Sequence, residues 1–335
     1  MPTIRDVAQH AGVSTATASR ALSGAGPASA NTVEAVRRAA QELGYNVNKA
    51  ARSLRTQRTD TIGLLIPDVR NPFFSDVAYV IEQSAAAKGY SVITMNADEQ
   101  PDRQVAALRS LSTQRVDGLI VVPQGGAPVN LPASMPFVLL DRRAANIDGP
   151  LVCSDNALGS QQMIGHLLHL GHRDIALITG PQSSSTGRER FTASIEALTA
   201  AGCTPRQEWI VEGDFQEDSG HRAATQLLDS PTRPTAIFAG DNLMAVGALT
   251  QARERGLKIG RDLAVVAFDD TRWFPLLDPP LTVVAQDIDA LGAAAVDAVQ
   301  AAMSGAEVAD VTIPTHLIVR SSCRADHLTP TKEAQ

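Results

Sequence analysis

Apolar residues change their spacing as the chain is read from its start. Up to residue 46 they recur at three- and four-residue intervals: Ile4, Val7, Ala8 and Ala11 share one helical face, and a second periodic run spans 33–43. Thr3 precedes the first run, with Asp6 three residues later as a capping-box variant. Gly12-Val13 breaks that helix, Ser14 caps a second over 15–22, and Gly44 stops the third. Two short helices about a glycine turn predict a helix-turn-helix, with Val13, Ala18 and Ala21 or Leu22 packed inward. Thr15, Ala16, Thr17 and Arg20 then point outward, just after Ser14.

From residue 61 the rhythm becomes short apolar runs alternating with amphipathic helices. Strands are predicted at 62–66, 91–95, 118–122 and 137–140, with helices near 74–88 and 101–114. A second set follows, with strands at 175–179, 209–212, 236–239 and 264–268 and helices near 157–170, 187–201, 217–229 and 242–255. Strands apolar throughout and separated by helices predict an α/β fold with parallel sheets covered on both faces, arranged as two similar lobes. Ligands of such sheets bind at the carboxyl ends of the strands, so the cleft between the lobes is the expected site. The predicted layout is a head over 1–46, a linker over 47–60, a two-lobed body over 61–320 and a polar tail over 321–335.

Composition fits this layout and narrows the partners. A chain of 335 residues that is 44% hydrophobic and 19% charged can bury full cores in each part. No run approaches eighteen apolar residues and the start lacks a signal-peptide profile, so a cytoplasmic protein is expected. Cys153, Cys203 and Cys323 are widely spaced and odd in number, which predicts buried, reduced thiols rather than a disulfide framework. The net charge of −7 hides an asymmetry: residues 1–59 hold eight Lys or Arg against three acids, +5, leaving −12 elsewhere. A basic head on an acidic body predicts an anionic polymer as partner of the head alone.

The order of motifs resembles one family. Thr3-Ile4-Arg5-Asp6-Val7-Ala8, Ala11-Gly12-Val13-Ser14, Ala18-Ser19-Arg20-Ala21-Leu22, Glu42-Leu43-Gly44-Tyr45 and Ala51-Arg52-Ser53-Leu54 resemble the head of the lactose-repressor (LacI/GalR) regulators. Asn71-Pro72-Phe73-Phe74, Arg115-Val116-Asp117-Gly118, the run Gly171-His172-Arg173-Asp174-Ile175-Ala176 and Pro280-Leu281-Thr282 continue the likeness through the body. The resemblance implies a homodimeric, allosteric transcription repressor that binds palindromic operator DNA, with a body like the periplasmic sugar-binding proteins. It assigns base reading to Thr15, Ala16 and Arg20; of these only Arg20 has the two-donor fork that matches guanine. It also implies a hinge helix over 48–55, with Leu54 as a minor-groove wedge and Arg52 and Arg55 near phosphates. Val47 stands where many relatives have proline, so the hinge leans on Asn48 as its cap.

The candidate effector residues all follow predicted strands: Asn71, Phe73, Phe74, Asp141, Arg142, Arg188, Phe215, Asp241, Asp269 and Gln286. Aromatic faces cover the C–H faces of a sugar, while carboxylates accept from hydroxyls and arginines donate to them. By order and motif the set looks like that of ribose-binding proteins, except that Asp241-Asn242 stands where Asn-Asp is common. A nucleobase would also suit the aromatic pair, but the family's purine repressors carry arginine where Ser184 stands here. The expected effector is a free ribose-like monosaccharide, acting as inducer. The alternative is a nucleoside or purine, or a corepressor.

Other classes fare worse. Paired carboxylates such as Asp269-Asp270 with Asp241 suit a glycosidase, but no nucleophile elbow, phosphate loop, dinucleotide fingerprint or zincin motif is present. His166, His169 and His172 lie near a helix end with no cysteine close in sequence, so neither metal nor cofactor is expected. The tail has one leucine and a proline, which predicts a dimer without a tetramerising heptad bundle.

Overall fold

The computed structural model describes residues 2–23, 29–45, 58–124, 131, 134–144 and 147–323. The chain divides into two compact units, Met1–Thr59 and Asp60–Gln335. The first contains α1 (Ile4–His10), α2 (Thr15–Ser23) and α3 (Ala30–Glu42). The Thr3 N–H donates to Asp6 Oδ2 at 2.7 Å, Ser14 Oγ accepts from Thr17 N, and Ser29 Oγ accepts from Thr32 N. Gly12, at φ +65°, makes the turn between the first two helices in a conformation that side chains disfavour. Val7, Ala8, Ala18, Ala21, Val36, Ala39 and Ala40 form the core; its small side chains let three short helices approach closely. The expected hinge over 48–55, with Arg52, Leu54 and Arg55, lies outside the described residues.

The second unit holds two six-stranded sheets. The first lobe is built from β1 (Thr61–Ile66), α4 (Pro72–Ala87), β2 (Ser91–Asn96), α5 (Pro101–Thr113), β3 (Gly118–Val121), β4 (Phe137–Leu140) and β5 (Leu151–Ser154). The second comprises α6 (Asn156–His169), β6 (Ile175–Thr179), α7 (Ser185–Ala200), β7 (Ile210–Glu212), α8 (Glu217–Asp229), β8 (Ala236–Ala239), α9 (Asn242–Glu254), β9 (Ala264–Phe268) and β10 (Thr282–Gln286). α10 (Ile288–Met303) and β11 (Val311–Ile313) then return to the first lobe, and β12 (Thr315–Ile318) closes the edge of the second.

The sheet orders are β11-β5-β4-β3-β1-β2 and β12-β10-β9-β8-β6-β7, parallel except for the antiparallel β12 edge. Both are doubly wound. β3, β6, β8 and β9 are buried at every position, as continuous apolar runs require, while the edge strand β2 is half exposed.

The two expected lobes are present, but the first is not continuous in sequence. β5, α10, β11 and β12 have no counterpart among the predicted elements, and α10 and β11 belong to the first lobe although they follow the whole second set. α10 is rich in alanine and valine, and its Leu291, Ala295, Val296 and Val299 complete the first lobe's core with Val138 and Leu140. The chain therefore crosses between lobes three times. Asp155 and Asp287 cap the helices at two crossings, accepting from Leu158 N and Ala290 N at 2.9 Å, and Pro314 lies at the third.

The predicted tail also begins too early. Ser322 and Cys323 are buried in the second lobe, where Ser322 Oγ accepts from Thr282 N and donates to Val265 O. The three cysteines are free, but only Cys323 is fully buried; Cys153 and Cys203 are half-buried, and burial pushes the Cys153 thiol up to about 11. Among the described residues, no helix is long and apolar enough to cross a membrane.

Candidate functional site

The start of α2 presents its outer face to solvent. Ser14, Thr15, Ala16 and Arg20 are exposed, whereas Thr17 is half-buried with its hydroxyl 2.8 Å from Ser14 Oγ. Arg20 Nε donates to Ala16 O at 3.3 Å, which lays its side chain along the helix.

In the body, a pocket of about 280 Å³, mouth included, lies where strands of both lobes end. The first lobe supplies Asn71, Phe73 and Phe74 after β1 and Asp141 and Arg142 after β4. The second supplies Thr186 and Arg190 from α7, Phe215 after β7, Asp241 after β8 and Asp269 after β9. Asp141, Phe215 and Asp269 have φ of +69°, +62° and +69°. Left-handed backbone at non-glycine residues costs free energy, so three such positions around one pocket mark a site whose geometry the surrounding fold enforces. Gly180 makes room for one wall: a Cβ there would lie 2.2 Å from the Phe215 ring.

Arg142 joins the lobes. Its guanidinium lies 5.5 Å from the Phe74 centroid and 5.2 Å from that of Phe215, with Nε donating to Asp141 Oδ2 at 3.1 Å and Nη2 3.4 Å from Glu99 Oε1. Burial disfavours its charge, but Glu99 and Asp141 outweigh this and hold its pKa above the usual value. Arg190 anchors the opposite wall: it donates to Asn156 Oδ1 at 2.8 Å and Gly240 O at 2.7 Å, stacks 3.6 Å from the Phe268 centroid, and lies 3.8 Å from Asp269 Oδ2.

The acids of the second lobe are incompletely paired. Gln286 lies behind the pocket and donates to Asp269 Oδ1 at 2.5 Å; burial still raises the Asp269 pKa. Asp241 Oδ1 caps α9 by accepting from Met244 N at 2.8 Å, but its buried Oδ2 has no partner among the described residues. Burial, reinforced by Asp269, pushes Asp241 up to about 7.

Of the ten expected body residues the structure brings eight to the pocket wall; Gln286 stands behind Asp269 without lining the pocket, and Arg188 lies elsewhere. Arg188 is exposed and donates to Gln182 O; the arginine in the pocket is Arg190. Residues 186 and 190 are one helical turn apart, whereas 188 projects from the other side. The signal was present in α7, whose buried Thr186, Arg190, Ala193 and Ser194 share that face. Asn242 was also missed: its Nδ2 donates across the cleft to Asn71 Oδ1 at 3.0 Å. The lobes touch again where Arg143 N donates to Ser185 Oγ at 3.0 Å and Arg272 reaches Asp76 at 2.6 Å. Outside the pocket, His172 is engaged by Thr235 Oγ1 and Cys323 O, and His166 Nε2 lies 3.2 Å from Cys323 Sγ.

A solvent-facing helix in a helix-turn-helix and a two-lobed ligand body define a ligand-responsive DNA-binding regulator. Residues 3–48 match the bacterial regulatory proteins of the lacI family, and residues 164–323 match the periplasmic binding protein-like domain. The HTH-type transcriptional repressor PurR of Pectobacterium carotovorum is 38% identical over 301 residues, 88% of each chain. The lac repressor dimer bound to operator and an anti-inducer superposes with a TM-score of 0.83, at 30% identity over 97% of this chain and 99% of that one. A candidate ribose operon repressor from Burkholderia thailandensis has a TM-score of 0.72 and 32% identity over 78% of this chain and 99% of its own. The chain belongs to the LacI/GalR family of bacterial transcription regulators and is a DNA-binding repressor. Its relatives are regulators rather than enzymes.

Proposed function

We propose that this repressor is controlled by a free pentose, ribose or a close relative, bound between Phe74 and Phe215. The carrying observation is the chemistry of one pocket: the phenyl rings of Phe74 and Phe215, both under the Arg142 guanidinium, line it together with Asn71, Asp141, Arg190, Asp241 and Asp269. Rings suit the apolar faces of a sugar and the surrounding donors and acceptors suit its hydroxyls; the orphan Asp241 Oδ2 is one acceptor that a hydroxyl would satisfy. Arg142 lies between the two rings, so entry of a sugar requires it to swing aside or the lobes to part. Ligand binding is thereby coupled to lobe geometry, the differential interaction that an allosteric effector requires.

In this reading two heads of a homodimer meet a palindromic operator in the cytoplasm, and sugar releases them. One helix with Thr15, Ala16 and Arg20 reads few bases, and a two-fold axis doubles the contact. Leu54→Ala is expected to weaken operator binding by removing the hinge wedge while leaving sugar affinity unchanged. Equal gel-shift affinities for variant and parent would remove the hinge assignment.

A purine is the second reading, favoured by the PurR relatives. Against it, Ser184 is buried as the cap of α7, its Oγ accepting from Gly187 N at 3.2 Å and lying 2.7 Å from Thr186 Oγ1, so it offers the pocket neither charge nor reach. Calorimetry with ribose, hypoxanthine and guanine separates the readings: the pentose reading expects heat with ribose alone. Operator binding with and without that ligand fixes its sign, and tighter binding with ribose would make it a corepressor.

A further inference from the structure

Two carboxyls of the second lobe stand side by side in the pocket wall. Asp241 and Asp269 follow neighbouring parallel strands, each two residues beyond a paired position, Ala239 of β8 and Ala267 of β9. Both are buried, and one cation of their own lobe serves them: Arg190 lies 3.8 Å from Asp269 Oδ2 and makes its shorter bonds to Asn156 Oδ1 and Gly240 O. α9 and β10 add only neutral donors, Met244 N to Asp241 Oδ1 and the Gln286 amide to Asp269 Oδ1.

The first lobe does not relieve the pair. Glu99 disfavours a charge on Asp241 and Asp141 disfavours one on Asp269, while Arg142, the cation on that side, is held by these same two acids. Two buried carboxyls sharing one cation resist ionising together, so a proton stays between them, and Asp241 keeps it up to about pH 7. Asp241 Oδ2 has almost no exposed surface and no partner among the described residues, so a donor reaches it only when an entering ligand shifts Arg142 or parts the lobes. A hydrogen bond donated to a carboxylate favours its ionised form, which drives that proton off.

We propose that effector binding is coupled to proton release: the empty pocket holds one proton on the Asp241–Asp269 pair, and a sugar hydroxyl donating to the pair displaces it to solvent. The hydroxyl keeps its own hydrogen and no covalent bond of the sugar changes. The donor's identity rests on the pentose reading of the pocket; the proton on the empty pair does not. A proton held in the free state and lost in the complex makes affinity rise with pH through the free-state value and level off above it. The repressor thereby answers to acidity as well as to sugar.

Infrared absorption of the unliganded full chain at about pH 6 should show the carbonyl band of a protonated carboxyl, lost by about pH 8.5 and missing from Asp241→Asn. Calorimetry should show ribose affinity rising about fivefold or more from about pH 5.5 to 8, with up to one proton released per site, read from buffers of different ionisation enthalpy. In Asp241→Asn that affinity should vary by less than about twofold, with no proton released. A parent without the band, or a variant that keeps it, overturns the proposal, as does ribose affinity that is flat or highest in acid. If the variant fails to fold or to bind ribose, the buffer dependence of the parent decides. The band without ribose binding at any pH removes the pentose reading but not the proton, whose release is then read with hypoxanthine and guanine.

Discussion

The two lobes share a winding order but treat buried charge differently. In the first, the cation it lends to the pocket, Arg142, is held by Asp141 and Glu99 and is neutralised with acid to spare. In the second, Asp241 and Asp269 share Arg190, whose closer partners are the neutral Asn156 Oδ1 and Gly240 O. A buried ion pair that is satisfied specifies geometry, whereas a buried acid without a partner stores free energy that a proton or a ligand can release. The first lobe therefore acts as a preset wall, and the second as the side where a ligand hydroxyl has most to gain.

Arg190→Ala should break this contrast most severely. It leaves two buried carboxylates without their cation, and removing one partner of a buried pair costs about 3–5 kcal/mol. Urea denaturation should show that loss at neutral pH, and effector response should disappear. An unchanged midpoint would mean that the second lobe's acids do not depend on Arg190.

Asp241→Asn sharpens the contrast through pH. The native carboxyl titrates near 7 and an unfolded one near 3.8, so the native state binds more protons between these values and stability falls as pH rises through that window. Asparagine keeps the helix cap without the charge. The variant should match the parent near pH 4 and exceed its stability at pH 8 by as much as about 4 kcal/mol, since each pKa unit corresponds to roughly 1.4 kcal/mol. Denaturation midpoints at the two pH values check this, and a difference independent of pH would sink it.

Gly180→Ala tests the second lobe's aromatic wall. Its Cβ would meet the Phe215 ring, and overpacking of this kind costs about 1–3 kcal/mol. Sugar affinity should fall with stability. The smallest effect is expected from Arg188→Ala, an exposed position, with stability changed by no more than about 0.5 kcal/mol and ligand affinity preserved. Loss of ligand binding there would return Arg188 to the site and displace Arg190.

Why Arg190 is not legible in the sequence while Asp141 and Asp269 are is a matter of where each sits. Residues directly after a strand are located by the strand, because the chain must emerge at the sheet's carboxyl edge. Arg190 comes from the second turn of a helix, where direction depends on rotation about the axis, and the buried small residues Ala193 and Ser194 fix that rotation. Buried strands such as β6 and β9 were legible as unbroken apolar runs. α10 is absent from the predicted elements, and no local pattern tells which lobe a buried helix covers. The left-handed backbone at Asp141, Phe215 and Asp269 leaves no compositional trace either, since aspartate and phenylalanine are ordinary residues elsewhere.

The three crossings between lobes also set an order of events during synthesis. Domains tend to fold as they emerge, N-terminal parts first, at about 5–20 residues per second. The first lobe begins to emerge before the second, yet its sheet lacks the cover of α10 and the edge strand β11 until residue 313 has been made. At that rate the ribosome needs roughly 8–32 seconds to pass from the end of β5 to the end of β11. The second lobe can wind β6 to β10 within that interval, so the first lobe's apolar face stays uncovered while its neighbour forms, and the last strands made, β11 and then β12, close one edge of each sheet.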